Sequence, residues 1–317
     1  MGKNILVLIP VNEKDKLFLE GKGSSSSFTY LNGNTVNIEQ VQNANIIVGN
    51  PPIDMIKGSK NLEWIQLGSA GVGEYIKEDV LRDGVILTNA SGAYGLAISE
   101  YMLGVLLELY KKLHLYRENQ IESNWHYEGP VKAVYNSTAL IVGLGDIGGE
   151  FAKRLKALGA YTIGIRRSDA NKPDYLDELH FMDELETLLP RADIVALSLP
   201  ATKLTERIIN RKTLGLMKQD AVLINVGRGN AIDTNALCDA LESGHILGAA
   251  LDVTDPEPLP KDHRLWKIKN AIITPHVSGG YSLAETHERI IKISASNLEA
   301  FLNNKSLVSV VDFSAGY

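Results

Sequence analysis

Residues 139–148 read Ala139-Leu-Ile-Val-Gly143-Leu-Gly145-Asp146-Ile147-Gly148, an apolar run that breaks into a G-x-G-x-x-G turn. Four apolar residues are too few for a helix and suit a strand buried on both faces. Beyond the turn, Ile147, Phe151, Leu155 and Leu158 recur at helical spacing, and Gly159 stands where a left-handed helix cap is expected. Strand, glycine turn and helix in that order open a dinucleotide-binding fold. Gly143 permits the tight turn, Gly145 lets the backbone approach a pyrophosphate, and Gly148 lets the helix pack close to the strand. The helix N-terminus, at Asp146 and Ile147, then offers unpaired N–H groups to phosphate charge.

Outward from this turn, short apolar runs alternate with helical periodicity along nearly the whole chain. Downstream, residues 139–143, 161–165, 194–199, 221–226, 248–253 and 271–274 predict six strands, the number a dinucleotide-binding sheet needs. Upstream, residues 5–11, 46–48, 64–67 and 85–88 predict four more. A long helix carries Ile98, Met102, Val105, Leu106, Leu109 and Leu113 on one face, and a last helix spans about 283–302. The pattern is α/β with parallel sheets. A length of 317 residues, at roughly 150 per domain, fits two domains. The serines of 24–27 read as a surface loop.

Composition excludes several functions. Lys plus Arg number 32 against 38 Asp plus Glu, a net charge of −6 that argues against nucleic-acid or anionic-membrane binding. Cys238 is the only cysteine, so neither a disulfide framework nor a cysteine-built metal site is possible within the chain. His114, His126, His180, His245, His263 and His287 show no metal-ligand spacing, and no metal is expected. The apolar start at 5–9 is too short for a membrane span and lacks a cleavage pattern, so the chain reads as soluble and cytoplasmic.

An NAD-binding strand usually ends in an acidic residue that takes the ribose 2′-hydroxyl. Here the strand 161–165 runs into Arg166-Arg167-Ser168, two guanidinium groups and a hydroxyl suited to a 2′-phosphate. NADP(H) is therefore the expected cofactor, with NAD(H) second.

Three reactive side chains each follow a predicted strand: Arg228 in Asn225-Val226-Gly227-Arg228-Gly, Glu257 in Asp252-Val-Thr-Asp-Pro-Glu257-Pro, and His276 in Thr274-Pro-His276-Val-Ser-Gly279-Gly. Ligands of open parallel sheets bind beyond the carboxyl ends of the strands, so these three can share one crevice. Their types suit reduction of a 2-oxo acid. A histidine supplies a proton near neutral pH, a carboxylate orients it, and an arginine fork grips the substrate carboxylate.

With these segments the chain resembles the D-isomer-specific 2-hydroxyacid dehydrogenase family over almost its whole length. The matching signatures are Gly227–Gly229, Asp252–Pro258 and Pro275–Gly279, in that order after the glycine turn. The resemblance implies that Arg228 binds and polarises the substrate, Glu257 partners His276, and His276 is the acid/base. It also implies that Asp252 meets the nicotinamide end, that Leu199, Pro200 and Thr205 line the cofactor crevice, and that Ala70, Gly71 and Val72 receive the substrate carboxylate. The implied fold is two Rossmann-like or flavodoxin-like doubly wound domains, the cofactor domain (98–284) inserted into the substrate domain (1–97 plus 285–317). A homodimer is implied as well. The family scaffold also serves cofactor-sensing co-repressors, which makes a binding protein the alternative expectation.

Departures sharpen the reading. Gly49-Asn50-Pro51-Pro52-Ile53 stands where phosphoglycerate dehydrogenases usually carry a cation, which argues against 3-phosphoglycerate as substrate. Gly73-Glu74 replaces a common Asp-Asn pair, and Thr254 replaces a common aromatic residue.

Overall fold

A computed structural model describes residues 2–23, 25–33, 35–167, 171–281, 283–314 and 316. The chain divides into two compact units, residues 1–94 with 281–317 and residues 95–280. The divisions fall at 94/95 and 280/281, a few residues before the expected 97/98 and 284/285.

The first unit is a five-stranded parallel sheet of β1 (Asn4–Val7), β2 (Ser27–Tyr30), β3 (Ile46–Val48), β4 (Trp64–Gln66) and β5 (Ile86–Thr88). The order β2-β1-β3-β4-β5 is the flavodoxin-like one. Every residue of β3 and β4 is buried, the polar Gln66 included, as in parallel strands covered on both faces. The closing helix Ala284–Leu302 belongs to this unit. Phe301 stacks on Trp64 with ring centroids 5.2 Å apart, and Asn297 Nδ2 donates to the buried Gln66 Oε1 at 2.8 Å. Where a loop was expected, Ser27 begins the edge strand β2, while Ser24 lies outside the described residues.

The second unit has seven parallel strands rather than six: β6 (Thr138–Val142), β7 (Tyr161–Arg166), β8 (Glu178–Phe181), β9 (Ile194–Leu197), β10 (Val222–Asn225), β11 (Gly248–Leu251) and β12 (Ala271–Ile273). Their order is β12-β11-β10-β9-β6-β7-β8. The chain works outward from β6 in one direction through β7 and β8, then crosses back to β9. The switch point therefore lies between β6 and β9, where a doubly wound sheet opens its ligand crevice. The extra strand β8, Glu178-Leu-His-Phe181, sits at the edge and alternates polar with apolar residues, so it lacks the apolar run that marks the others. Leu140, Val142, Ile163, Val195, Leu197 and Leu223 share a core with Leu237 and Leu241 from the helix Thr234–Glu242.

Candidate active site

The glycine turn is built as its spacing predicts. Gly143 has φ +100°, and a side chain there would lie 2.8 Å from the Ser198 carbonyl oxygen. A Cβ on Gly148 would lie 1.9 Å from the Gly143 carbonyl oxygen, so the helix Asp146–Ala157 approaches its strand as only glycine allows. Around Gly145 nothing lies within 4 Å of such a Cβ, and no side chain caps this helix N-terminus. The open space over uncapped N–H groups fits a cofactor pyrophosphate. The Asp146 carboxylate accepts the Gly95 N–H at 2.6 Å. Ser198, which no motif marked, steadies the turn by donating to the Gly143 carbonyl at 2.8 Å.

Arg166 ends β7 half-buried, and Arg167 follows on the surface. Ser168 lies outside the described residues. On the other side of the switch point, Leu199 is buried and Pro200 half-buried. The Thr205 hydroxyl donates to the Pro200 carbonyl at 2.7 Å and accepts the Thr202 N–H at 2.9 Å, so its side chain closes the loop after β9.

The loop after β10 is wedged between its neighbours. A Cβ on Gly227 would lie 2.6 Å from both backbone N and O of Leu199, and one on Gly229 would lie 2.0 Å from the Thr254 carbonyl group. Both glycines are thus demanded by backbone contact, and the buried Val226 anchors the turn. Asn225 shapes it from within: its Nδ2 donates to the Arg228 carbonyl at 2.9 Å and its Oδ1 accepts the Gly227 N–H at 3.0 Å. Arg228 is left half-buried, with Nη1 donating to the Gly227 carbonyl at 2.7 Å. Burial pushes its guanidinium below the ordinary value, and the Glu257 charge acts in the opposite direction.

His276 Nδ1 and Glu257 Oε1 lie 2.7 Å apart, on loops after β12 and β11, with both side chains about half exposed. A carboxylate only accepts, so Nδ1 carries the proton and Nε2 is left outside this bond. His276 itself has φ +52°, an uncommon conformation for a side-chain-bearing residue. Its N–H donates to the Asp252 carbonyl at 2.8 Å. The Asp252 side chain, 1% exposed, accepts from Thr274 Oγ1 (2.6 Å), Val277 N–H (2.9 Å), Ser278 N–H (3.1 Å) and Ser278 Oγ (2.5 Å). Asp252 therefore pins the histidine loop, a task the sequence reading did not give it. Gly279 continues this loop half-buried. Among the described residues no group of three or more His, Cys, Asp or Glu could hold a metal ion.

In the first unit, the loop after β4 leaves the N–H groups of Ala70, Gly71 and Val72 without hydrogen-bond partners among the described residues. Its shape is held by side-chain contacts that the sequence did not reveal. Asn50 Oδ1 accepts the Gly68 N–H at 3.0 Å while Nδ2 donates to Ser69 Oγ at 3.0 Å, and Asn89 Nδ2 donates to the Ala70 carbonyl at 2.9 Å. Free backbone donors on a fixed loop suit a carboxylate. The Tyr281 hydroxyl sits over Gly68, 2.5 Å from where a Cβ would be.

The likeness to known proteins agrees with this geometry. A model of the D-isomer specific 2-hydroxyacid dehydrogenase NAD-binding domain matches residues 103–278, more than half of the chain. A glyoxylate reductase of Thermofilum pendens is 33% identical over 269 residues, covering 82% of this chain and 77% of its own. A D-isomer specific 2-hydroxyacid dehydrogenase family protein of Aeromonas salmonicida has a similar structure, with TM-score 0.87 and 31% identity over 99% of this chain and 100% of its own. So does a D-isomer specific 2-hydroxyacid dehydrogenase of Xanthobacter autotrophicus solved with NADPH and MES, with TM-score 0.83, 25% identity and all of both chains covered. The chain belongs to the D-isomer-specific 2-hydroxyacid dehydrogenase family and is an NAD(P)-dependent oxidoreductase of that family.

Proposed function

We propose that the protein reduces a small 2-oxo acid to its D-2-hydroxy acid with NADP(H), and less well with NAD(H). The 2.7 Å hydrogen bond between His276 Nδ1 and Glu257 Oε1 carries this reading. When bound, the nicotinamide supplies the hydride. The chain's own residues do the rest. Protonated His276 delivers a proton from Nε2 to the carbonyl oxygen, and Glu257 holds the ring and compensates its charge. Arg228 binds the carboxylate through a planar fork and draws electron density from the adjacent carbonyl. The unpaired N–H groups at Ala70, Gly71 and Val72 are the first unit's feature suited to a carboxylate.

NADP(H) is favoured because Arg166, not an acid, ends β7. Asn50 supports a substrate other than 3-phosphoglycerate: its amide is engaged on both sides with Gly68 and Ser69, and no cation stands there. We further propose a cytoplasmic homodimer. Exposed Trp125, Tyr127, Val131 and Tyr135 support a subunit contact, and among the described residues no helix is long and apolar enough to cross a membrane. No relative reported above favours a co-repressor-like binding protein. The deciding experiment follows NADPH absorbance with glyoxylate, hydroxypyruvate, pyruvate and branched 2-oxo acids; no oxidation with any of them would defeat the proposal.

A further inference from the structure

One phenol outside the acid–base pair is linked by two hydrogen bonds to the carboxylate of Asp252, the residue whose carbonyl accepts the His276 N–H. Tyr101, on the helix Gly95–Tyr110, places its hydroxyl 2.7 Å from Thr274 Oγ1, which is 2.6 Å from Asp252 Oδ1. The direction of the run follows from its end. An ionised carboxylate only accepts, so Thr274 gives its single hydroxyl proton to Asp252, and Tyr101 must donate to Thr274. Burial, reinforced by the Asp252 charge against the opposing pull of the Thr274 hydrogen bond, pushes the Tyr101 phenol up to about 12, which keeps that proton in place. Asp252 in turn holds Val277 and Ser278 by its side chain and His276 by its carbonyl. His276 thus stands in its positive-φ conformation between restraints on both sides. Such strain persists only where the surroundings over-determine it. Donors aligned in sequence also polarise one another in a low-dielectric setting. The same helix is tied at its start to the glycine-turn helix, through the Gly95 N–H and Asp146.

We propose that Tyr101 is a positioning residue for His276, acting through Thr274 and Asp252, and that the helix Gly95–Tyr110 thereby registers the histidine loop against the cofactor turn. This rests on the reading of His276 as the acid. In the enzyme with NADPH, Tyr101→Phe is expected to lower kcat about tenfold, because small misplacements of a catalytic group are costly. The KM for the 2-oxo acid and the NADPH Kd, read by fluorescence, should stay within about twofold. Thr274→Val should cause a similar loss, and the double variant should fall no further than the worse single one, because both cut the same run. Unchanged kcat in Tyr101→Phe with only a lower Tm, or losses that multiply in the double variant, would overturn the proposal. Full activity in His276→Ala would instead remove the acid assignment on which it rests.

Discussion

His276 Nδ1 and Glu257 Oε1 meet at 2.7 Å although they lie on separate loops after adjacent strands, β12 and β11. The bond fixes which nitrogen faces Glu257 and therefore which nitrogen the proposed proton transfer would use. His276→Ala is expected to lower turnover by about two to four orders of magnitude. Glu257→Gln, which keeps an acceptor oxygen but loses the charge, should lower kcat by about one to two orders with the fold intact. Initial rates with NADPH and the best substrate of the 2-oxo acid screen decide both, and near-normal rates would remove these residues from the chemistry.

Arg166 ends β7 where a 2′-hydroxyl-binding acid would otherwise stand. Arg166→Asp should weaken NADPH use at least tenfold relative to NADH, the scale of one charge-assisted hydrogen bond. The ratio of kcat/KM for the two cofactors reads this directly; an unchanged ratio would place the 2′-phosphate elsewhere.

The glycines of the turn should separate binding from stability. Gly145→Ala adds a methyl group that meets nothing in the protein, so its Tm should stay near wild type while the NADPH Kd rises about tenfold or more. Gly148→Ala, whose Cβ would lie 1.9 Å from the Gly143 carbonyl oxygen, should destabilise the fold by about 1–3 kcal/mol. Thermal melts beside cofactor titrations test the contrast, and equal loss of stability in both variants would contradict it.

The edge strand β8 carries a charge cluster with its own pH signature. His180 is raised above its ordinary value, first by its hydrogen bond to Glu178 and also by Glu184, while Arg191 draws Glu178 down to about 2. A raised histidine adds stability in full below its unfolded value near 6.5, and loses it as pH climbs through the higher folded value. Glu178 has the reverse sign: its contribution is present above its unfolded value of 4.5 and fades as pH falls toward 2. Being partly solvated, the His180 contribution should stay below about 1 kcal/mol. Urea unfolding of His180→Gln between pH 5 and 9 should show a flatter profile than wild type; parallel profiles would dismiss the cluster.

Much of this protein follows from local sequence. The apolar runs of β6, β9, β10 and β11 are continuous because parallel strands are covered on both faces, and the glycine spacing marks the phosphate turn without reference to anything distant. The edge strands β2 and β8 escaped notice because a strand solvated on one side alternates over only four residues, which is too short a signal beside loop-forming serines or a charged segment. Motif spacing likewise marked Arg228, Glu257 and His276, but not the contacts that hold them. The contacts of Gly229 with Thr254, and of Asp252 with residues 274–278, form only when β10, β11 and β12 lie side by side. A short-range pattern can mark a reactive side chain at a strand end. The company it keeps is decided by sheet order, because hydrogen bonds between loops depend on which strands become neighbours, and sequence distance does not encode that adjacency.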